Sequence, residues 1–261
     1  MMDPTTGDIL AMATYPDYNL NTPFEPNDEL KKTWESLSND AQSQALQKMW
    51  RNKSVSDAYE PGSTFKVITA SSALEEGVAE TDTENDFNCI GYEMVEDAQI
   101  HCTSYGHGGQ TLRQALENSC NPALIQLGKR LGANTFHKYM SAFGLFNKTN
   151  IDTSGEVTGL YFNEVGPVEL ATASFGQRFT VTPIQMITAI SSIANNGVLV
   201  KPRIVKQIEN PDTNTITNIE PKNVRQVISK ETAKSMTNIM ESVVSEGGRK
   251  IWSSKRLYNR W

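Results

Sequence analysis

The sequence predicts a mixed fold of the α/β or α+β class, with strands near the two ends of the chain and helices between them. Two observations support this. Several runs in the middle of the chain begin and end at proline or glycine, as helices do, and segments near both ends are typical of strands. The 261 residues, 38% hydrophobic and 21% charged, are enough to bury a substantial core and show no bias towards disorder.

The first half of the chain is predicted to contain one strand and a series of helices. The strand covers residues 7–14 and follows the turn-forming residues 3–7. The helices cover residues 28–50, 63–76, 111–117, 122–131 and 134–144. Gly77 and Gly132 occupy the position that follows a helix, and Pro122 the first helical turn. Residues 81–110 are rich in Asp, Asn, Gly and Cys and are predicted to be irregular.

The second half of the chain is also predicted to contain both helices and strands. Residues 155–166 are predicted to form a loop, and apolar residues at helical spacing predict a long helix over 183–196. Strands are predicted over 197–200 and 204–208, and a final helix over 230–245. There is no internal repeat and no low-complexity block.

The charge is distributed unevenly along the chain. A net charge of −6 argues against nucleic acid as a partner, since phosphate binding requires a basic surface. The last fifteen residues, 247–261, nevertheless contain five basic residues, no acidic residue, and the tryptophans Trp252 and Trp261. We therefore divide the chain into a domain over residues 1–246 and a divergent basic tail over 247–261.

A candidate nucleophile lies at the start of the helix predicted over 63–76. In Glu60-Pro61-Gly62-Ser63-Thr64-Phe65-Lys66, Ser63 and Lys66 are three residues apart and project from the same helix face. A serine hydroxyl becomes a good nucleophile only when a base removes its proton, and a lysine can be that base if burial lowers its pKa. Taken alone, the pair favours the simpler interpretation of a capping serine and a surface lysine.

A second motif, Ser119-Cys120-Asn121, precedes the helix that Pro122 starts. Residues at alternate positions can point into one cleft, where Ser119 would relay a proton and Asn121 would hold Lys66 or a substrate amide. The other interpretation of this segment is an ordinary helix N-cap.

Together the two motifs resemble the penicillin-binding protein transpeptidases, which are marked by Ser-x-x-Lys, Ser-x-Asn and Lys-Thr-Gly. The resemblance extends in order over residues 2–247. It includes residues 2–16, 150–159, 174–185 and 194–202, and it points to the class B, division or sporulation type of Gram-positive spore-formers.

This resemblance implies a β-lactamase/transpeptidase-like fold, with an antiparallel sheet flanked by helices. It implies a peptidoglycan D,D-transpeptidase that forms a Ser63 acyl-enzyme with stem peptides and is blocked by β-lactams, with Lys66, Ser119 and Asn121 as the other catalytic residues and no catalytic cofactor. The expected partners are stem peptides, the lipid-linked precursor polymer, and membrane proteins of division or sporulation. The expected location is the outer face of the cytoplasmic membrane. Because the first residues lack the features of a signal peptide, we expect the targeting signal outside these 261 residues.

The sequence departs from the family in one respect, since Lys-[Thr/Ser]-Gly is absent. In the family that motif follows the final helix, on a strand that supplies one oxyanion donor. We therefore expect the C-terminal strands to be missing, a sheet edge to be uncovered, and this chain to be poorly active and marginally stable.

The three cysteines fall within 32 residues, and His107 lies among them. Cys89, Cys102, His107 and Cys120 together predict a structural zinc site, because three thiolates and an imidazole make a tetrahedral set. Asp86 or Asp97 could replace Cys89. The alternatives are a Cys89–Cys102 disulfide with Cys120 buried and free, or three unrelated buried thiols. His101 and His137 have no such neighbours and are interpreted as ordinary residues.

Two other functions remain open at this point. A β-lactam hydrolase of the same fold would need a residue that activates water for deacylation, and no suitable glutamate or modified lysine is evident. A non-catalytic domain, either a β-lactam sensor or a cell-wall scaffold, is consistent with the missing third motif.

Overall fold

The computed structural model describes residues 1–162 and 165–246 of the chain. The residues described form helices and pairs of antiparallel strands, which confirms the predicted fold class. The helices are α1 (Asn39–Met49), α2 (Lys53–Ser56), α3 (Lys66–Glu75), α4 (Leu112–Glu117), α5 (Asn121–Leu131), α6 (Ala133–Ala142), α7 (Pro167–Ala173), α8 (Pro183–Ala194) and α9 (Lys230–Ser245). The strands are β1 (Phe87–Cys89), β2 (Tyr92–Val95), β3 (Ala98–His101), β4 (Gly108–Gln110), β5 (Val198–Val200), β6 (Gln207–Asn210), β7 (Thr215–Asn218) and β8 (Asn223–Gln226).

The long helices lie where proline, glycine and capping residues predicted them. Thr111 and Thr182 each begin a helix with a capping box, in which the threonine side chain accepts from the backbone N–H three residues on and a glutamine returns the bond. Helix α5 starts at Asn121 with Pro122 in its first turn and ends at Gly132. Helix α9 matches the predicted range, and its Ser229 side chain caps the first turn.

The prediction over residues 81–110 was wrong. This region forms two nested hairpins, with β1 paired to β4 on the outside and β2 paired to β3 within them. The strands are only three or four residues long, and several of their side chains are exposed. A strand this short carries no alternating apolar pattern long enough to outweigh its turn-forming composition.

Other boundaries also differ from the prediction. The strand predicted over 7–14 is reduced to isolated bridges, from Ile9 to Met2 and from Asp8 to Arg203. The helix predicted over 28–50 begins with two 3₁₀ turns, and only its last part is α-helical. The strand predicted over 204–208 forms instead at Gln207–Asn210, and all four of its residues are exposed. Helix α7 and the strands β7 and β8 were not predicted.

The core is built around α3 and α5, which pack against each other. Helix α3 buries seven of its ten residues, among them Ala70 and Ala73, and α5 buries Leu124 and Leu127 completely. The pairing of α3 and α5 fixes the two segments that carry the sequence motifs relative to each other, because the motifs lie at the beginnings of these helices.

Carboxylate side chains organise the loop after α6, within the segment that carries part of the family resemblance. Glu156 is 8% exposed and accepts from the backbone N–H groups of Thr149 and Asn150 and from the Thr149 hydroxyl. Asp152 accepts from the N–H groups of Ile204 and Val205. These bonds satisfy backbone donors that the loop would otherwise leave unpaired.

No helix within the described ranges has both the length and the apolar character needed to cross a membrane. The predicted tail over 247–261 lies outside the described residues.

Phe65 is expected to be one of the main determinants of stability, since it is fully buried and contacts Phe136 and Phe179 edge-on. Phe65→Ala should lower the free energy of unfolding by about 3–5 kcal/mol, and Phe65→Leu by less. Urea unfolding measures both changes. The control is Phe24→Ala, because Phe24 is 72% exposed. Equal losses at the two positions would contradict this account of the core.

Candidate active site

Ser63 and Lys66 lie on successive parts of one helical segment. A 3₁₀ turn over Gly62–Phe65 contains Ser63 and continues directly into α3, whose first residue is Lys66. Ser63 is exposed, whereas Lys66 is only 2% exposed. The buried Phe65 between them anchors this turn to the core. The arrangement leaves the hydroxyl accessible and places the amine beneath the surface.

The turn that carries Ser63 rests on a second backbone segment. The N–H of Gly62 donates to the carbonyl oxygen of Gly176 at 2.8 Å, and Tyr59 exchanges two backbone hydrogen bonds with Val181. Gly176 has a φ of 87°, and a Cβ placed on it would lie 2.1 Å from the carbonyl oxygen of Gly62. Only glycine fits there, so the backbone of residues 176–181 sets the position of the turn that carries Ser63.

Ser119 lies in a tight turn between α4 and α5. Its φ is 49°, in the left-handed region, and its N–H donates to the carbonyl of Leu116 at 3.0 Å. The N–H of Cys120 then donates to the carbonyl of Ala115 at 2.8 Å. These bonds close the end of α4, and Asn121 immediately begins α5.

The structure brings Ser63, Lys66, Ser119 and Asn121 together in one hydrogen-bonded group. The Lys66 ammonium donates to the Ser119 carbonyl at 2.6 Å, to the Ser119 hydroxyl at 2.9 Å and to Oδ1 of Asn121 at 2.8 Å. The Ser119 hydroxyl lies 3.0 Å from Oγ of Ser63. An ammonium has three donors, and here each has an acceptor.

The ionisation of Lys66 is shifted in the direction that a base requires. Burial lowers the pKa of the Lys66 ammonium to about 8, against the opposing influence of the thiols of Cys120 and Cys102. Since one unit corresponds to a tenfold change in proton occupancy, a group with this pKa is about one-tenth neutral at pH 7. Neutral Lys66 can accept a proton.

The geometry suggests an indirect proton path from Ser63 to Lys66. The sequence predicted Lys66 as the base and Ser119 as a residue that relays a proton. Within the described residues, the hydrogen bonds of the Lys66 amine run to residues 119 and 121, and Ser119 is the group hydrogen-bonded to Ser63. A proton can move from Ser63 to the Ser119 hydroxyl while that hydroxyl passes its own proton to neutral Lys66.

Two parts of the site were not evident from the sequence. The side-chain amide of Asn121 donates to the carbonyl oxygen of His101 at 3.2 Å, which fixes the amide so that its oxygen faces Lys66. No sequence pattern indicates a role for a backbone carbonyl. Gly176 belongs to a segment that resembles the family, but glycine composition alone does not reveal a close backbone approach.

The structure also brings the cysteines and His107 together. One ligand atom each from Cys89, Cys102, His107 and Cys120 lie within 4.8 Å of one another, so the group contains Cys89 itself and not Asp86 or Asp97. Asp86 is paired with Arg130 at 2.9 Å. All three cysteines are free thiols. Burial raises the pKa of the Cys102 thiol, but hydrogen bonds led by the backbone N–H groups of Ser104 and Asn121 outweigh it and bring the pKa to about 7.

Comparison with known proteins gives consistent results over nearly the whole chain. A family model described as the penicillin binding protein transpeptidase domain matches residues 1–255. Stage V sporulation protein D of Bacillus subtilis is 41% identical over 250 residues, which cover 94% of this chain and 36% of that protein.

Solved structures agree with these sequence relationships. The D,D-transpeptidase domain of a peptidoglycan glycosyltransferase from Eggerthella lenta has a TM-score of 0.80 at 27% identity, covering 94% of this chain and 60% of that one. The imipenem acyl-enzyme complex of penicillin-binding protein A from Mycobacterium tuberculosis has a TM-score of 0.76 at 27% identity, covering 95% of this chain and 57% of that one. This chain thus spans little more than a third of the sporulation protein and somewhat over half of these two structures.

Gly176→Ala should destabilise the protein more than a change at another glycine of similar φ. Gly155 has a φ of 81° and nothing within 4 Å of its Cβ position, so Gly155→Ala carries only the backbone strain, about 1–2 kcal/mol. Gly176→Ala adds a clash with the Gly62 carbonyl and should cost several kcal/mol in total. Urea unfolding of both variants measures the difference, and equal losses would show that this backbone contact is not needed.

Proposed function

This chain belongs to the penicillin-binding protein transpeptidase family, and we propose that it acts as a peptidoglycan D,D-transpeptidase through an acyl-enzyme on Ser63. The observation that carries the proposal is the series of hydrogen bonds from exposed Ser63 through Ser119 to buried Lys66. The series joins a nucleophile to a group whose pKa is lowered to about 8, and that is the combination nucleophilic catalysis requires.

In the first step, Oγ of Ser63 attacks the carbonyl carbon of the D-Ala-D-Ala peptide bond of a stem peptide. Its proton passes to the Ser119 hydroxyl as the Ser119 proton passes to neutral Lys66. The tetrahedral intermediate collapses with cleavage of the carbon–nitrogen bond, and the departing D-alanine amine takes a proton back along the same path. The product is an ester between Ser63 and the shortened stem peptide.

In the second step, an amine of a neighbouring stem peptide attacks the ester carbonyl. Lys66, neutral again, accepts the proton of the amine through Ser119. The ester bond breaks, and the Ser63 oxygen recovers a proton from the same path. A β-lactam enters the first step in the same way, because opening of its ring amide also leaves an ester on Ser63.

The negative oxygen formed in each step needs hydrogen-bond donors. The backbone N–H of Ser63, in the first turn of the nucleophile helix, supplies one of them. The family's second donor lies on the Lys-Thr-Gly strand, a motif that this sequence lacks. Loss of one such donor slows acyl transfer by about 10²–10³-fold. Formation of the adduct on Ser63 is the step by which the proposal can be tested.

The cellular setting is also a proposal. The name of the Bacillus subtilis relative supports a role in sporulation, although the chain covers only part of that protein. Peptidoglycan lies outside the cytoplasm, so we propose that the domain acts at the outer face of the cytoplasmic membrane, with membrane proteins of sporulation or division as partners. Its substrates there would be stem peptides on the lipid-linked precursor polymer.

Ser63→Ala should abolish covalent binding of penicillin by the full chain. Prolonged incubation with a penicillin, followed by intact-protein mass spectrometry, should show one adduct on the unaltered chain and none on the variant, since Ser63 is the exposed hydroxyl that is connected through Ser119 to Lys66. Thr64→Ala is a matched control, because Thr64 is also exposed but donates its hydroxyl hydrogen bond to the carbonyl of Pro61.

An adduct on Ser63→Ala, or none on the unaltered chain, would contradict the proposal. The lifetime of the adduct separates the related functions: a transpeptidase releases penicillin slowly, whereas a β-lactam hydrolase turns it over rapidly.

The rate of adduct formation should depend on the ionisation of Lys66. The neutral amine is the base, so the rate should rise about tenfold per pH unit below the pKa and level off above about 8. Stopped reactions at pH values on both sides of 8 measure this profile, and the Thr64→Ala control should show the same curve. A rate independent of pH through this range would exclude Lys66 as the base.

A further inference from the structure

We propose that Cys89, Cys102, His107 and Cys120 bind one structural zinc ion, which holds the turn over residues 119–121 in place. The sulfur atoms and an imidazole nitrogen already lie within 4.8 Å of one another in the structure. This site is separate from the reaction at Ser63, because none of its four ligands belongs to the hydrogen-bonded group described above.

The nested hairpins explain how residues far apart in sequence meet. Cys89 ends β1, Cys102 follows β3, and His107 precedes β4, so the paired strands bring these three residues to the same end of the hairpins. The backbone N–H of His107 donates to the Cys89 carbonyl at 3.0 Å, which ties two of the ligand-bearing segments together. Cys120 approaches from the start of α5.

The separations fit a metal better than a disulfide. A tetrahedral zinc ion with bonds of about 2.3 Å to sulfur holds its ligands about 3.8 Å apart. Sγ of Cys102 lies 4.0 Å from Sγ of Cys120 and 3.7 Å from Nδ1 of His107. A disulfide requires about 2.05 Å between sulfur atoms. Small movements would therefore complete the zinc geometry.

Neighbouring groups orient two of the ligands. Oγ of Ser104 lies 2.9 Å from Nε2 of His107, so a proton on Nε2 can be donated to this hydroxyl while Nδ1 remains free to bind a metal. The side-chain amide of Gln110, which is 2% exposed, donates to Sγ of Cys120 at 3.3 Å. Supporting hydrogen bonds of this kind fix the orientation of metal ligands.

The ligand set selects the metal and its role. Thiolates are soft ligands that favour zinc over magnesium or calcium. Four protein ligands complete a tetrahedron and leave no position for substrate or water, which is the pattern of a structural site. Cys89 is 1% exposed and Cys120 is fully buried, whereas Cys102 and His107 are half-buried, so the bound metal would be shielded from solvent on one side.

The metal would support the active site through the backbone. Cys120 lies between Ser119 and Asn121, the two residues that accept from Lys66. On the opposite side, Cys102 follows His101, whose carbonyl accepts from the Asn121 side chain. A zinc ion bound to Cys120 and Cys102 would therefore hold both the backbone of Asn121 and the His101 carbonyl to which the Asn121 side chain donates.

The direct test is the metal content of the full chain, purified without added metal. Elemental mass spectrometry should find about one zinc ion per chain. Alkylation of the unfolded protein should modify all three thiols. His107→Ala should lose at least ten-fold in zinc affinity, whereas His107→Cys, which restores four ligands, should retain zinc. His101→Ala is the matched control, because its side chain lies outside the group, and it should keep the metal.

Two further measurements test the proposal even if the His107→Ala variant does not fold. Removal of the metal from the unaltered chain with a chelator should lower the unfolding temperature, and zinc should restore it while magnesium should not. Ser63→Ala should retain its zinc although it forms no penicillin adduct, so the metal site and the proposed activity fail separately.

Absence of zinc from the unaltered chain, together with no rise in unfolding temperature on adding it, would overturn the proposal. Two unalkylated thiols would do so as well, and would indicate a disulfide. Equal zinc content in the unaltered chain and folded His107→Ala would exclude this site.

Discussion

The site depends on one constraint, the burial of the Lys66 ammonium. A buried charge is strongly unfavourable unless each of its donors finds a partner. The turn over residues 119–121 provides all three acceptors, two from Ser119 and one from Asn121. The fold must therefore hold the start of α5 against the start of α3, and the close packing of these two helices does so. The interactions that make the buried amine tolerable also connect it to Ser63.

The sequence was sufficient for the elements whose ends are set by local chemistry. Helices α4, α8 and α9 are capped by Thr111, Thr182 and Ser229, and α5 has Pro122 in its first turn. These residues satisfy or tolerate the unpaired N–H groups of a first turn. Strands have no equivalent signal when they are three residues long. Strands β1 and β4 are held by pairing between residues about twenty apart, as between Phe87 and Gln110, and no local pattern encodes that pairing.

The sequence motifs predicted which residues form the site, but they did not predict all of its geometry. Ser63, Lys66, Ser119 and Asn121 were identified from spacing and family resemblance, and the structure brings all four together. The route of the proton from Ser63 through Ser119 to Lys66 was not predicted, because it depends on the left-handed conformation of Ser119, and serine adopts that conformation only where surrounding bonds impose it. Likewise, Gly176 and the His101 carbonyl act through backbone geometry, which is settled by tertiary contacts.

The segment Ser119-Cys120-Asn121 serves two groups at once because its side chains alternate in direction. Ser119 and Asn121 face Lys66, whereas Cys120 points away towards Cys102 and Gln110. Any movement of the cysteine group is thus transmitted to the acceptors of the buried ammonium through a single peptide unit on each side. Rigid support on the Cys120 side would keep Ser119 within hydrogen-bonding distance of both Ser63 and Lys66. Since proton transfer depends steeply on such distances, the proposed metal site would affect the proposed reaction through the backbone of residues 119–121.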